Sequence, residues 1–197
     1  MRIGIFGGCF NPPHKMHKNI ALELINNNYL DKIIYVPTGN KYNKKDLVND
    51  IDRYNMLKIM CENNVSLEVS DYEFKTDLTY TYQTLNYFKS IYPNDDIYFI
   101  CGADNLNQIE TWREYKYILE NYKFIVINRN EIDLDNLVNK YENYKGNIVI
   151  ANIKTGELSS TDIRDNLNNL NTKEVLNYID LEVYKYIKEK GLYSNPR

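Results

Sequence analysis

The chain has 197 residues, of which 43% are hydrophobic and 26% charged, with a net charge of −3; this balance excludes a disordered or fibrous chain and allows a core of ordinary size. The lysines are scattered with no basic stripe, which argues against nucleic acid as a partner. Three cysteines (Cys9, Cys61 and Cys101) are too few for a disulfide framework, and the sequence shows neither a signal-peptide pattern nor a membrane-length apolar run, so a soluble cytoplasmic protein with no membrane partner is expected.

Taken in chain order, short β-branched and aromatic runs predict strands at residues 3–6, 32–36, 66–69, 97–101, 124–127 and 148–151. Between them lie stretches with helical spacing, such as Ile20, Ala21, Leu24 and Ile25, and then Tyr54, Leu57, Lys58 and Cys61. Apolar strands alternating with helices predict an α/β, Rossmann-like doubly wound parallel sheet covered on both faces. No Pro/Gly/Ser-rich linker divides the chain, so residues 1–197 are read as one domain: a core at 1–155 and a helical segment at 156–197 closed by an amphipathic helix ending at Gly191.

The first strand leads into Gly7-Gly8-Cys9-Phe10, then Pro12-Pro13, then His14 and His17, the two histidines of the chain. A strand, a tight turn and a helix starting near Lys15 make a junction suited to anions, because unpaired first-turn amides and the helix dipole favour phosphate oxygens. It is neither GxGxxG nor a P-loop. Three-residue spacing puts both imidazoles on one helical face, where they can neutralise charge on a phosphoryl group in flight. A capping role is the blander reading of either histidine, and zinc held by His14, His17 and Cys9 is the rival ligand reading, although the HExxH spacing is absent.

The stretch GIFGGCFNPPHKMH resembles the signature of the nucleotidyltransferases with a Gly-Gly-Thr-Phe-Asn/Asp-Pro-x-His-x-Gly-His motif, and in particular that of the nicotinate-mononucleotide adenylyltransferases. Cys9 stands where that family usually has Thr, removing a hydroxyl that could help hold a phosphate. Met16 stands where it usually has Gly, adding bulk at the helix start close to the nucleotide. The resemblance implies transfer of AMP from ATP to nicotinate mononucleotide, giving deamido-NAD and pyrophosphate, with His14, His17 and Arg164 catalytic. Gly7, Gly8, Cys9, Phe10, Gly102 and Asp104 would join the histidines at ATP.

Further along, Ser159-Ser160-Thr161 with Arg164 reads on its own as a helix cap with a guanidinium one turn in, which is a second anion site. It resembles the family's Ile-Ser-Ser-Thr-x-Ile-Arg segment with Leu158 for the first Ile, and by that likeness Ser160, Thr161 and Arg164 would hold the β- and γ-phosphates. Mg²⁺ would accompany the triphosphate, held mostly by its oxygens.

For the acceptor, Gly102, Asp104 and Trp112 in ICGADNLNQIETW resemble the family's pyridine-nucleotide segment, in which the indole stacks on the ring; packing is the blander reading of a single tryptophan. Thr79-Tyr80-Thr81 looks like the family's Ser-Tyr-Thr, with a helix cap at Thr79 or Thr81 as the plain alternative. Its amides and the Thr81 hydroxyl would receive the ring carboxylate. The polar loop at 38–52 carries Lys41, Lys44 and Lys45, of which Lys44 is assigned to the acceptor with the choice among the three left open, and Arg53 with Met56 matches the family's arginine before a methionine-containing helix. Transfer to phosphopantetheine, a cytidylyl transfer, and a non-catalytic nucleotide sensor are the alternatives; oligomeric state is left open.

Overall fold

The computed structural model describes residues 1–39, 47–75, 79–128, 133–153, 156, 159–167, 169 and 171–194. Among these, six strands form one sheet: β1 (Arg2–Gly8), β2 (Lys32–Pro37), β3 (Leu67–Val69), β4 (Asp96–Gly102), β5 (Lys123–Ile127) and β6 (Ile148–Ala151). The order is β3-β2-β1-β4-β5-β6, and every pairing is parallel, with Ile5 opposite Ile34 on one side and Phe99 on the other. All six predicted strands are present, each within two residues of its predicted bounds.

Strand β1 explains why the sheet is buried on both faces. Its side chains alternate, so Ile3 and Ile5 enter one apolar cluster while Phe6 enters the other. Gly4 is required between them, because a Cβ there would lie 2.4 Å from Leu30 Cδ1 and 2.7 Å from Ile100 Cδ1. The Phe6 face is covered by α1 (Lys15–Asn26), α2 (Asp50–Cys61) and α9 (Leu181–Glu189). The Ile3 and Ile5 face is covered by α3 (Thr81–Ile91), α4 (Ala103–Asn107), α5 (Tyr115–Asn121) and α6 (Leu134–Lys140).

Helix α1 buries Ile20, Ala21 and Leu24 as its spacing predicts, and each of the two larger side chains contributes about 1.5–3 kcal/mol by leaving water. In α2 the buried face is Arg53, Met56, Leu57, Met60 and Cys61. The predicted set held Tyr54 and Lys58 instead, a rotation caused by Arg53, a charged residue that the pattern assigns to solvent and the fold places at 0% exposure. The closing helix α9 buries Val183, Tyr184 and Ile187, and Gly191 follows it at φ 61.

The C-terminal helices are tied back to the beginning of α1. Lys15 N donates to Tyr178 O at 2.8 Å, and Lys18 Nζ pairs with Asp180 at 2.9 Å. Helices α7 (Ser160–Asn166) and α8 (Thr172–Val175) lie on the same side and bury Ile163 and Val175 in the Phe6 cluster. None of the described helices is long and apolar enough to cross a membrane.

Candidate active site

Strand β1 stops where its glycines allow the chain to fold over itself. A Cβ on Gly8 would sit 3.1 Å from Phe10 Cζ, and Phe10 itself has φ 46. The chain passes through a cis Asn11–Pro12 peptide to His14, which caps α1 in an extended conformation at φ −143 and ψ 168. The expectation of two imidazoles on one helical face is therefore corrected: His17 is helical, whereas His14 precedes the helix and is 2% exposed. The rings still meet, with centroids 3.7 Å apart and 30° between planes.

His14 N donates to His17 Nδ1 at 3.3 Å. An acceptor nitrogen carries no proton, so this hydrogen bond assigns the neutral His17 ring its N–H at Nε2. The ring is further fixed by the edge of Phe10, 4.9 Å between centroids, and its backbone carbonyl accepts from Tyr35 Oη at 3.0 Å. Burial raises the Tyr35 phenol well above its ordinary pKa and keeps it a donor.

His17 opens onto a cavity of about 600 Å³ at the carboxyl ends of β1 and β4, the place where strand order reverses and doubly wound sheets bind ligands. Its volume suits a nucleotide-sized molecule. Of the residues nominated from sequence, Gly7, Gly8, Phe10, Thr79, Tyr80, Thr81, Gly102, Asp104 and Trp112 share this wall with His17. Cys9, His14, Ser160, Thr161 and Arg164 are outside the wall, and Lys44 with its neighbours Lys41 and Lys45 lies outside the described residues. Gly102 is required by its neighbour, since a Cβ there would stand 2.2 Å from Asp104 Oδ1. Tyr80, not Thr79 or Thr81, is the cap of α3, its N–H reaching Gln83 Oε1 at 2.9 Å.

The Ser-Ser-Thr segment meets the histidine motif through its backbone. Ser159 caps α7 and accepts from Asp162 N, which frees the next two hydroxyls. Ser160 Oγ then donates to Pro12 O at 2.9 Å, Arg164 Nη1 donates to Asn11 O at 2.6 Å, and Arg164 Nη2 donates to Thr161 Oγ1 at 3.0 Å. Met16 does not crowd the cavity as its bulk suggested. It turns toward Gly156, whose N–H approaches Met16 Sδ at 3.3 Å, and an added Cβ on Gly156 would lie 2.6 Å from Met16 Cε. This methionine fills space that the glycine leaves.

Thr38, Glu73, Asn105, Thr111 and Arg113 line the cavity without a role in the sequence analysis, and Thr84 lines it as well. Thr84 Oγ1 donates to Glu73 Oε1 at 2.7 Å, yet burial pushes the Glu73 carboxyl up to about 7, outweighing that bond and the pull of Arg53. Arg53 itself was matched only as a family position. It donates to Val48 O at 2.9 Å, Cys9 O at 2.9 Å and Thr38 O at 2.6 Å and pairs with Asp50 at 2.5 Å, so it joins the ends of β1 and β2 to the start of α2. Only the apolar neighbours Met56 and Leu57 could have hinted at a buried face.

A parallel sheet with a nucleotide-sized cavity at its switch point, a histidine aimed into that cavity and a hydroxyl-rich helix start hydrogen-bonded to the same loop define a nucleotide-binding α/β protein built for phosphate chemistry. The pattern of the cytidylyltransferase-like family matches residues 5–166. The "Probable nicotinate-nucleotide adenylyltransferase" of Clostridium tetani is 37% identical over 196 residues, covering 96% of this chain and 97% of that protein. That of Endomicrobium trichonymphae is 38% identical over 98% of this chain and 99% of its own length. The solved structure of Plasmodium falciparum nicotinic acid mononucleotide adenylyltransferase complexed with NaAD superimposes with a TM-score of 0.82 at 26% identity, covering 98% of this chain and 97% of that one. The chain belongs to the cytidylyltransferase-like family and, within it, to the nicotinate-nucleotide adenylyltransferases.

Proposed function

We propose that the protein transfers AMP from ATP to nicotinate mononucleotide, releasing pyrophosphate and forming nicotinate adenine dinucleotide in the synthesis of NAD. The observation that carries this reading is the meeting of the two phosphate-type segments: Ser160 and Arg164 hold the carbonyls of Pro12 and Asn11, two to three residues ahead of His14, whose ring meets that of His17. One triphosphate laid along this junction reaches both the hydroxyl-rich helix start and the His17 Nε2–H.

In the reaction, an oxygen of the acceptor's 5′-phosphate attacks the α-phosphorus in line; the new P–O bond forms as the bond to the β-phosphoryl oxygen breaks, and pyrophosphate leaves. The His17 Nε2–H donates to the oxygens that gain charge, and its fixed tautomer means that little reorganisation is needed. His14 supports that ring and completes the imidazole pair. Ser160, Thr161 and Arg164 take the β- and γ-phosphates, with Arg164 exchanging part of its hold on Asn11 for the leaving group. Gly7, Gly8 and Phe10 shape the loop against the nucleotide. On the acceptor side Trp112 stacks on the pyridine ring, Asp104 holds the ribose end, and the backbone of Thr79, Tyr80 and Thr81 receives the ring carboxylate.

Mg²⁺ carried in by the triphosphate would be held mostly by the phosphate oxygens, with Asp104 as a carboxylate in the cavity wall. When bound, Mg²⁺ supplies neutralisation of phosphate charge. The reading further takes residues 1–197 as one working domain of a cytoplasmic enzyme. The test is pyrophosphate release from ATP with nicotinate mononucleotide, nicotinamide mononucleotide, phosphopantetheine and glycerol phosphate in turn. Release with nicotinate mononucleotide above all others is the expected result, and release with phosphopantetheine alone would replace the reading.

A further inference from the structure

We infer that the side chain of Arg113 is a specificity-determining contact of the acceptor pocket, pairing its guanidinium with an anionic substituent on the ring that stacks against Trp112. The inference rests on the acceptor reading given above and assigns a residue which that reading leaves unused.

Four observations carry it. Arg113 lines the cavity beside Trp112, Tyr80 and Thr81. It is the sole Lys or Arg in that wall among the described residues, and the wall also holds the carboxyl of Asp104 and that of Glu73, the latter only partly charged near neutral pH. A cavity so lined disfavours an anion on the ring unless a cation offsets the acids, because like charges at close range raise the cost of binding. Its guanidinium carbon sits 5.0 Å from the centre of the Tyr80 ring, a cation–π contact that holds the exposed side chain at the entrance of the pocket. The backbone turns sharply around it: Trp112 is extended at φ −83 and ψ 143, and Glu114 adopts the left-handed region at φ 58. That turn presents the indole and the guanidinium on the same short segment.

Charge supplies the discrimination. A ring carboxylate and a ring carboxamide have nearly the same shape, and backbone N–H groups donate to the oxygen of either one. A cation at the entrance separates them, since it forms a charge-assisted, two-pronged bond with the carboxylate alone.

The experiment uses the full chain as wild type, Arg113→Gln and Arg113→Lys. Trp112 is the single tryptophan of the sequence, so quenching of its fluorescence reports ring stacking directly and gives Kd for nicotinate mononucleotide and for nicotinamide mononucleotide without any turnover. Arg113→Gln is expected to weaken binding of the acid about five- to tenfold, the range of an exposed charge-assisted contact, and that of the amide less than twofold. Arg113→Lys is expected to fall between. Parallel kcat/KM values should show the same narrowing of the acid-to-amide ratio. A ratio that stays at the wild-type value in Arg113→Gln, whether both affinities fall or neither does, overturns the assignment. Failure of the wild type to release pyrophosphate with nicotinate mononucleotide would instead sink the proposed reaction, and the fluorescence titration would still decide the role of Arg113.

Discussion

Replacing Glu73 with Gln should stabilise the protein above neutral pH and leave it unchanged in acid. The carboxyl is held at about 7 against an ordinary 4.5, chiefly by burial. In the unfolded chain it ionises near 4.5, so between that value and about 7 the folded protein retains a proton that the unfolded chain has released, and stability declines as pH rises through this window. Above about 7 the full penalty of a buried charge is present; below 4.5 both states are protonated and there is none. At about 1.4 kcal/mol per pH unit the gap between 4.5 and 7 is worth roughly 3 kcal/mol, an upper bound because the cavity admits water. Gln keeps an oxygen for the Thr84 hydroxyl, 2.7 Å away in the native protein, and carries no charge at any pH. Thermal unfolding of both proteins at pH 5 and pH 8 gives the answer: the variant should melt at roughly the wild-type temperature at pH 5 and up to about 6–12 °C higher at pH 8, given the usual 2–4 °C per kcal/mol at this size. A Glu73→Gln protein whose advantage is the same at both pH values would show that burial does not perturb this carboxyl.

Three other outcomes are expected. His17→Ala should lower kcat by about 100- to 1000-fold while Trp112 fluorescence reports acceptor affinity within threefold of wild type; an unchanged rate removes His17 from the chemistry. Arg53→Met, which strips donors from the carbonyls of Cys9, Thr38 and Val48, should cost about 3 kcal/mol or more in urea unfolding, and a loss under 1 kcal/mol would mean that water replaces those bonds. Gly39→Ala and Gly156→Ala should part company although each added Cβ meets an atom at 2.6 Å. At Gly39 that atom is the backbone oxygen of Glu73, which cannot swing aside, so a loss of roughly 1–3 kcal/mol is expected; at Gly156 it is the mobile end of Met16, and the loss should stay under about 1 kcal/mol in the same assay.

The strands were legible because each is a run of apolar, mostly β-branched or aromatic residues, as in KIIYVP at Lys32–Pro37, and burial on both faces leaves no polar alternation to confuse the period. The starts of α1 and α7 were legible too, from their proline and Ser-Ser-Thr signals. The sequence pattern failed where a polar group went inward. Arg53 reads as a surface residue of α2, and only a count of the carbonyls left by two strand ends and a loop shows why a guanidinium is buried there. Glu73 and Arg113 sit in short 3₁₀ and turn segments without periodicity, so nothing in their neighbours marks them as walls of a cavity. The place of Met16 is not legible for a different reason: its partner Gly156 is 140 residues away, and such a fit between distant positions has no local signature. His14 was placed on the helix because spacing alone cannot tell a cap from the residue one turn inside it.

The loop that carries the histidines is made early and supported late. Its carbonyls are held by Ser160 and Arg164, its helix start by Tyr178, and the Asn11 side chain accepts from Tyr193 Oη at 2.8 Å. A ribosome therefore delivers the motif more than a hundred residues before the groups that brace it. A nascent chain that has reached only residue 159 holds every histidine and glycine of the signature but neither Ser160 nor Arg164, so order at the motif waits on side chains 148 and 153 positions further along.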